Sequence, residues 1–360
     1  MGFCYLFPAV RGKQAYRDYY IAMVPLKLLS RLFIQDESYI LPEFRAQRKL
    51  NEARIPEIKQ YILDNRNTYV FSALSASIDG EYKYIPSETS EDVGTLEVPM
   101  ESVFLLNDGQ HRKAAIDAAI AEDATLGEET ISIVFFNDCG LERSQQMFTD
   151  LNKHAVKTSN SLATLYDSRD PLAMATKSII DSVEFFRMFT DKEKDILGKN
   201  SSNLFTLNNM YTANYKIMRK KDISIADEEF MLTFWRNAAN NIVEWDELIH
   251  RAISKTDLRE NYIITLAIVL KSLGKLGAFF YDNPQSDMVK VLKGLRQVDW
   301  RRNNRRNWEN RTLRTDGRVM NSEEAALLTC NKIKQLLGIA LNPEESAKER
   351  HLVRRQDDEQ

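Results

Sequence analysis

A short motif of acidic and basic residues at positions 108–112 is the part of the sequence best suited to chemistry. An apolar run ends at Asn107, and Asp108 and Gly109 then lead directly into an alanine-rich helical pattern. We expect Asp108 to cap this helix by accepting hydrogen bonds from its first backbone amides, and Gly109 to let the backbone pass close to a ligand. Amides at the positive end of a helix attract anions, so this turn suits phosphate or sulfate.

Two further side chains of the turn could act on such an anion. Helical spacing places His111 over Ala115 and Arg112 over Ile116, so both are expected at the mouth of the buried stripe. Arginine can bind two oxygens at once, and histidine can donate or shuttle a proton. The alternative is structural: Asp108 only caps the helix, His111 is hydrogen-bonded in the core, and Arg112 forms a surface ion pair.

The elements that must position this motif divide the chain into two parts. Residues 1–140 contain short β-rich runs separated by helical ones, which predicts an α/β domain, and the strand, helix and strand over residues 103–136 predict a crossover unit. Helical patterns fill residues 141–341 and predict an all-helical domain. The charged residues 342–360 are expected to form a frayed, flexible tail. The predicted fold class is therefore α+β.

Charge and cysteine content limit the class of protein. The net charge of −3 means that any contact with nucleic acid must come from a local basic stripe. The cysteines Cys4, Cys139 and Cys330 are widely spaced, which favours a reducing compartment over a disulfide framework. No apolar run approaches the roughly 20 residues of a membrane-spanning helix, and the first ten residues lack a basic leader. We therefore expect a cytoplasmic protein, and the four histidines, with no cysteine nearby, predict no metal site.

The basic stripe extends from Trp300 to Arg318. Seven arginines stand there against Glu309 and Asp316, a local charge of +5. The arginines expected to contact DNA are Arg301, Arg302, Arg305, Arg306, Arg311 and Arg314. In a helix, four of them would form like-charged pairs four residues apart, which repel each other unless an anion lies across them. The alternative is that the arginines pair with acidic residues of the other domain while Trp300 and Trp308 pack in the core.

The pentapeptide Asp-Gly-Gln-His-Arg at positions 108–112 matches the motif that names the DGQHR-domain family, and the chain resembles the DndB-type members of that family. Residues 20–26 look like the family's strand and Pro-Leu turn, and Gln47-Arg48 with the helix after Arg54 is similar to its arginine-bearing turn. Residues 147–157 and 165–173 look like a second hallmark of DndB-type sequences. The similarity thus covers roughly residues 19–173.

This resemblance implies a ParB- and sulfiredoxin-like N-terminal domain whose turn binds nucleotide phosphates, with ATP or GTP and magnesium as the candidate cofactor. The residues expected to contact the nucleotide are Arg48, Gly109, His111, Arg112, Asn152, Lys153 and Lys157. The resemblance also implies a role in DNA phosphorothioation, with other phosphorothioation proteins and a second copy of this chain as candidate partners.

Three functions are consistent with these features. The first is a repressor that binds double-stranded DNA at the promoter of the modification genes and senses a nucleotide. The second is a nucleoside triphosphatase in which His111 and Arg112 polarise phosphates, Asp108 holds magnesium or a water, and Gln110 orients the attacking water. The third is an adaptor that only brings modification enzymes together.

Overall fold

The computed structural model describes residues 3–33, 52–137, 146–147, 158–198 and 201–358, with side chains described as far as residue 352. The chain divides into two compact units, Met1–Val156 and Lys157–Gln360. Each unit has a hydrophobic core of its own. The protein is of mixed α+β class, as predicted.

A mixed sheet forms the centre of the first unit. Its described strands are β1 (Cys4–Gln14), β2 (Arg17–Pro25), β3 (Leu74–Asp79), β4 (Lys83–Ser87), β5 (Ser90–Pro99), β6 (Val103–Asp108) and β7 (Thr130–Asn137). They stand in the order β4-β5-β1-β2-β7-β3-β6. The neighbours β3 and β7 run parallel, and β6 runs antiparallel to β3. The α-helices of this unit whose bounds are described are α1 (Leu29–Leu32), α2 (Ile55–Asp64) and α3 (Gln110–Ile120).

Alternation of apolar and polar residues explains the strands that the sequence reveals most clearly. In β7, Ile131, Ile133 and Phe135 are buried, while the residues between them are partly exposed. This two-residue period buries one face of a strand against a core. In contrast, five consecutive residues of β3 are buried, because both faces of that strand are covered. A strand of that kind carries no alternation by which its direction or neighbours can be read.

The predicted crossover unit is wrong in its topology, although its three elements exist. Strand β6, helix α3 and strand β7 follow one another as expected. However, β3 lies between β6 and β7 in the sheet, and β6 is antiparallel to both. The sequence pattern located each element but carried no information on the strand that inserts between them.

The second unit is mainly helical. Its helices are α4 (Asn160–Tyr166), α5 (Pro171–Ser182), α6 (Glu184–Phe189), α7 (Leu207–Met218), α8 (Ile225–Asn241), α9 (Val243–Ile249), α10 (Lys255–Asn261), α11 (Ala267–Asp282), α12 (Met288–Leu292), α13 (Arg305–Trp308), α14 (Glu323–Leu336) and α15 (Pro343–Asp358). Two short parallel strands, β8 (Thr190–Asp191) and β9 (Phe205–Thr206), also belong to it, so an all-helical domain is not confirmed. Across the described ranges, no helix is long and apolar enough to cross a membrane.

Most of the residues expected to form a frayed tail belong instead to helix α15. The Glu345 carboxylate accepts a hydrogen bond from Nζ of Lys334 at 2.6 Å, and that of Glu349 accepts one from Nη2 of Arg311 at 2.6 Å. All four side chains are buried. Two carboxylates four residues apart therefore attach the helix through ion pairs, which is why a segment poor in large apolar residues is ordered.

We predict that Glu345→Ala lowers the free energy of unfolding by about 3 kcal/mol, because it leaves the Lys334 ammonium buried without a counter-charge. Urea unfolding followed by circular dichroism measures this change. The matched control is Glu344→Ala, which removes an exposed carboxylate of the same helix turn and should change stability by less than about 0.5 kcal/mol. Equal effects of the two substitutions would contradict anchoring by this ion pair.

Candidate functional site

The turn between β6 and α3 requires glycine at position 109. Gly109 is the N-cap residue of α3 and has a φ of 106°, a conformation that side chains other than glycine rarely adopt. A Cβ atom there would lie 2.3 Å from Cδ2 of Leu74. The glycine thus allows the strand to turn directly into the helix while packing against β3.

Asp108 does not cap helix α3, contrary to the prediction. The Asp108 carboxylate instead accepts a hydrogen bond from Nη2 of Arg112 at 2.6 Å. The reason is the position of the N-cap, which falls one residue later, on Gly109. The amides of the first turn stand at the positive end of an 11-residue helix.

Arg112 connects the start of α3 to the segment that precedes β3. Its Nη1 atom donates to the carbonyl and hydroxyl oxygens of Ser72, each at 2.6 Å, and to the carbonyl oxygen of Ala73 at 2.9 Å. Together with the ion pair to Asp108, these bonds occupy both terminal nitrogens of a side chain that is 17% exposed. The guanidinium group is therefore a structural tie in this conformation, and not an open fork for phosphate.

Only some of the other residues predicted to contact the nucleotide or to act on it lie in the described part of the chain. Gln110 and His111 occupy the first two positions of α3 and are half-buried. Just before them in β6, the Oδ1 atom of buried Asn107 has no hydrogen-bond partner among the described residues, and neither has the Oγ atom of buried Ser75 in the neighbouring strand β3. The sequence reading missed this polar pair, although Asn107 was visible as an amide at the end of an apolar run. Outside the described residues lie Arg48, Asn152, Lys153, Lys157 and also Cys139.

In the second unit, the arginine-rich segment rests on two stacked tryptophans. The rings of Trp300 and Trp308 are 5.4 Å apart and almost parallel, and both side chains are fully buried. Nε1 of Trp308 donates to the carbonyl oxygen of Asp299 at 2.9 Å. The tryptophans thus pack in the core, as the structural alternative expected.

The helical pairing expected for these arginines is wrong. The helix at this point is only α13, of four residues, while Arg301 forms a backbone bridge with Tyr262. Residues 301 and 305 are therefore not a pair on one helix face. The backbone of Trp300, pinned by its buried side chain, is hydrogen-bonded to Ile263 and cannot join that helix.

Two of the six predicted DNA contacts are used inside the unit. Arg302 donates from Nε to the carbonyl oxygen of Tyr262 and from Nη2 to that of Arg259, and burial lowers its pKa. Arg311 is 9% exposed and forms the ion pair with Glu349. Both guanidinium groups hold neighbouring segments together, so we remove them from the set of expected DNA contacts.

The other four arginines of the set are exposed: Arg301, Arg305, Arg306 and Arg314. Arg305 is 72% exposed and stands 4.0 Å from a Glu309 oxygen. Arg306 and Arg314 form no ion pair with any described residue. The acidic partners of the segment among the described ion pairs are Glu309, Asp316 and Glu349, which belong to the same unit as the arginines.

A lysine on helix α14 adds to this positive surface. Lys332 is half-buried, and its pKa is lowered by burial and by the charges of Arg311 and Arg306. The sequence reading missed it because it lies 26 residues beyond Arg306. The sequence feature that could have indicated Lys332 is its position in a predicted helix directly before Ile333, a residue of the buried face.

The role of Arg112 as a tie leads to a stability prediction. Arg112→Ala should lower the free energy of unfolding by about 2 to 3 kcal/mol, because it removes several charge-assisted hydrogen bonds from a largely buried site. Its neighbour Lys113 makes only the helix pair with Asp117, and Lys113→Ala should cost about 0.5 kcal/mol. Chemical denaturation of the two variants makes the comparison; a loss for Arg112→Ala no larger than for Lys113→Ala would refute the tie.

Comparison with known proteins supplies the family. Residues 7–340 match the DndB family, described as DNA-sulfur modification-associated. No curated protein and no solved structure matches the chain, so the ParB- and sulfiredoxin-like fold of the first unit stays a prediction. The matched range includes the 108–112 turn, the tryptophan stack and the exposed arginines, and on this match the chain belongs to the DndB family of DNA-sulfur modification-associated proteins.

Proposed function

We propose that this DndB-family protein is a DNA-binding regulator of a DNA sulfur-modification gene cluster, which represses transcription from its promoter and senses a nucleotide at residues 108–112. The observation that carries the proposal is the set of exposed arginines that have no acidic partner among the described residues. Arg306 and Arg314 stand on a chain whose net charge is −3. Cations that the fold does not neutralise are suited to an external polyanion.

Lys332 strengthens the electrostatic argument. In half-buried Lys332, burial and the positive charges of Arg311 and Arg306 lower the pKa, and the opposing effect of the Glu349 carboxylate is smaller. A phosphate group beside Arg306 would relieve this repulsion, so binding of DNA should favour the charged form of Lys332. We therefore include Lys332 among the proposed phosphate contacts.

The support beneath the arginines also favours binding. The stacked tryptophans and the bonds of Arg302 hold the backbone of the segment in one conformation. A surface that is ordered before binding loses less conformational entropy when it meets its partner. Within this segment, the exposed arginine side chains are then the groups that DNA would order.

For the nucleotide, the support comes from the start of α3. Gly109 brings the backbone into a tight turn, and the amides of the first turn of α3 follow it at the positive end of the helix. Such amides are donors for phosphate oxygens, and His111 on the first turn is positioned beside them. ATP or GTP with magnesium is the proposed ligand, and other sulfur-modification proteins are the proposed protein partners.

Hydrolysis of that nucleotide is a second candidate function. The observation that favours it is the Asp108 carboxylate, which is 41% exposed at the start of α3 although one oxygen is bonded to Arg112. An accessible carboxylate can hold magnesium or orient a water. Arg112 would have to leave Ser72 and Ala73 to contact a phosphate, and this makes hydrolysis the weaker proposal.

The DNA contacts predict a change in salt dependence. Replacing Arg305, Arg306 and Arg314 with alanine should reduce the slope of log affinity against log salt on duplex DNA by about 2 to 3, since each lost phosphate contact contributes about 0.9. The melting temperature should hardly change, because these side chains are exposed. Fluorescence anisotropy with the promoter duplex, over a series of salt concentrations, gives the slope.

Two variants control for charge and for fold in this experiment. Arg187→Ala with Arg236→Ala removes two exposed arginines elsewhere in the same unit and should leave the slope almost unchanged. Arg302→Ala should instead lower the melting temperature, because it strands two backbone carbonyls. An unchanged slope in the triple variant would refute DNA contact, and equal affinity of the native protein for promoter and random duplex would refute specific repression.

The nucleotide turn is tested separately. Adding ATP or GTP with magnesium should shift the affinity for promoter DNA, and His111→Ala should abolish that shift while leaving the affinity without nucleotide unchanged. Phosphate release is measured in the same samples, with Asp108→Asn as the hydrolysis variant. Nucleotide that neither binds nor changes DNA affinity would refute sensing, and phosphate release that persists in Asp108→Asn would refute hydrolysis at this turn.

A further inference from the structure

A polar cleft of about 360 Å³ lies beside the exposed arginines of the second unit. Its lining residues belong to helix α10 and to the two segments joined by the backbone bridge between Tyr262 and Arg301. They are Asp257, Asn261, Tyr262, Arg301, Arg302 and Asn303. This volume falls in the range of small-molecule sites and is sufficient for a nucleoside.

The floor of the cleft is held rigidly. Tyr262 and Arg301 are opposite each other in an antiparallel bridge, and Ile263 and Arg302 extend it through backbone hydrogen bonds of 2.9 and 2.7 Å to Trp300 and Asn261. Next to them in the two segments, the side chains of Trp300 and Ile263 point to the buried side. Tyr262 and Arg301 consequently share the other side, where a hydrogen bond between their side chains raises the pKa of Arg301.

The lining of the cleft supplies both acceptors and donors. The Oδ1 atom of Asp257 accepts from Nδ2 of Asn261 at 2.6 Å, and its second carboxylate oxygen has no partner among the described residues. The exposed guanidinium of Arg301 supplies donors. The carboxylate makes the cleft unfavourable for a bare phosphate, so its ligand should carry a donor edge and an acceptor edge.

Guanine is the base with this pattern. Its N1–H and N2 amino group are donors for a carboxylate, and its O6 and N7 atoms form the acceptor pair that arginine binds through two hydrogen bonds. A planar base could also stack on the ring of Tyr262. The cations Arg305 and Arg306 lie a few residues beyond Arg301, where the phosphate of a guanine nucleotide would find a partner.

We propose that the cleft between Asp257 and Arg301 binds a guanine base, with Asp257 accepting from its N1 and N2 groups and Arg301 donating to O6 and N7. The base comes either from a free nucleotide or from a guanine turned out of DNA. The second source rests on the proposed DNA binding, whereas the first does not. This site is distinct from the nucleotide turn at residues 108–112, which recognises phosphate through backbone amides.

Titration calorimetry with nucleoside monophosphates tests the base preference. GMP should bind at least 10-fold more tightly than AMP or CMP, and inosine monophosphate, which lacks the N2 amino group, should lose about 5- to 10-fold relative to GMP. Asp257→Asn should remove most of the preference for GMP, while Glu260→Gln, an exposed carboxylate on the same helix, should not. The Arg301→Lys variant should bind GMP more weakly than the native protein does. Its affinity for the 7-deaza analogue, which lacks the N7 acceptor, should equal that of the native protein.

Duplexes with one unpaired guanine or adenine distinguish the two sources. Tighter binding of the unpaired guanine, lost in Asp257→Asn, assigns the site to DNA; GMP selectivity without selectivity between the duplexes assigns it to free nucleotide. Equal binding of all bases in both formats overturns the proposal. Binding of glycine with the same dependence on Asp257 also overturns it, because the two charges of that zwitterion would pair with Asp257 and Arg301 without any recognition of a base. The salt slope of the Arg305, Arg306 and Arg314 variant is independent of these results, so failure of the base site and failure of DNA binding are distinguishable.

Discussion

The stacking of Trp300 on Trp308 is the interaction on which the arginine-rich segment depends. Between residues 299 and 322 the chain contains a four-residue helix, isolated bridges and turns, so no long helix or strand fixes its path. Two fully buried indole rings supply the missing constraint, since aromatic side chains bury a large area in few rotamers. Burial of the two rings fixes the orientation of the residues around them. Some arginines then face inward to polar partners, and the others face water.

Arginine has the same structural task in both units. Arg112 in the first unit and Arg302 in the second each satisfy two different backbone carbonyls, and each secures a turn that no regular element supports. A guanidinium group is suited to this because its fork of donors can reach several acceptors at once. A guanidinium group that could bind phosphate in one environment therefore binds backbone carbonyl oxygens in another and stabilises the fold. The neighbouring carbonyls, and not the residue type, decide between these outcomes.

This ambiguity explains what the sequence could and could not predict. Alternation in β7 and the apolar spacing of α3 identified those elements, because their pattern depends on local geometry. The insertion of β3 between β6 and β7 depends on contacts between residues far apart in the chain and left no periodic signal. Likewise, the motif at 108–112 located a turn, but the hydrogen bonds of Arg112 to Ser72 and Ala73 cross about 40 residues. The order in α15 was hidden for a similar reason, since buried ion pairs replace the apolar face that a sequence pattern would reveal.

The division between inward and outward arginines also links stability to function. An inward guanidinium, such as that of Arg311, needs its partner Glu349, because a buried charge without one is costly. An outward one, such as that of Arg306, gains little from the fold and is free to exchange solvent for phosphate. Lys332 stands between these limits: it is too buried to be well hydrated, and its nearest charges include cations. A surface of this composition is folded without a ligand but retains electrostatic repulsion, and a bound polyanion is what would relieve it. The fixed arginines thus set the geometry, and the exposed cations retain the charge that DNA binding would use.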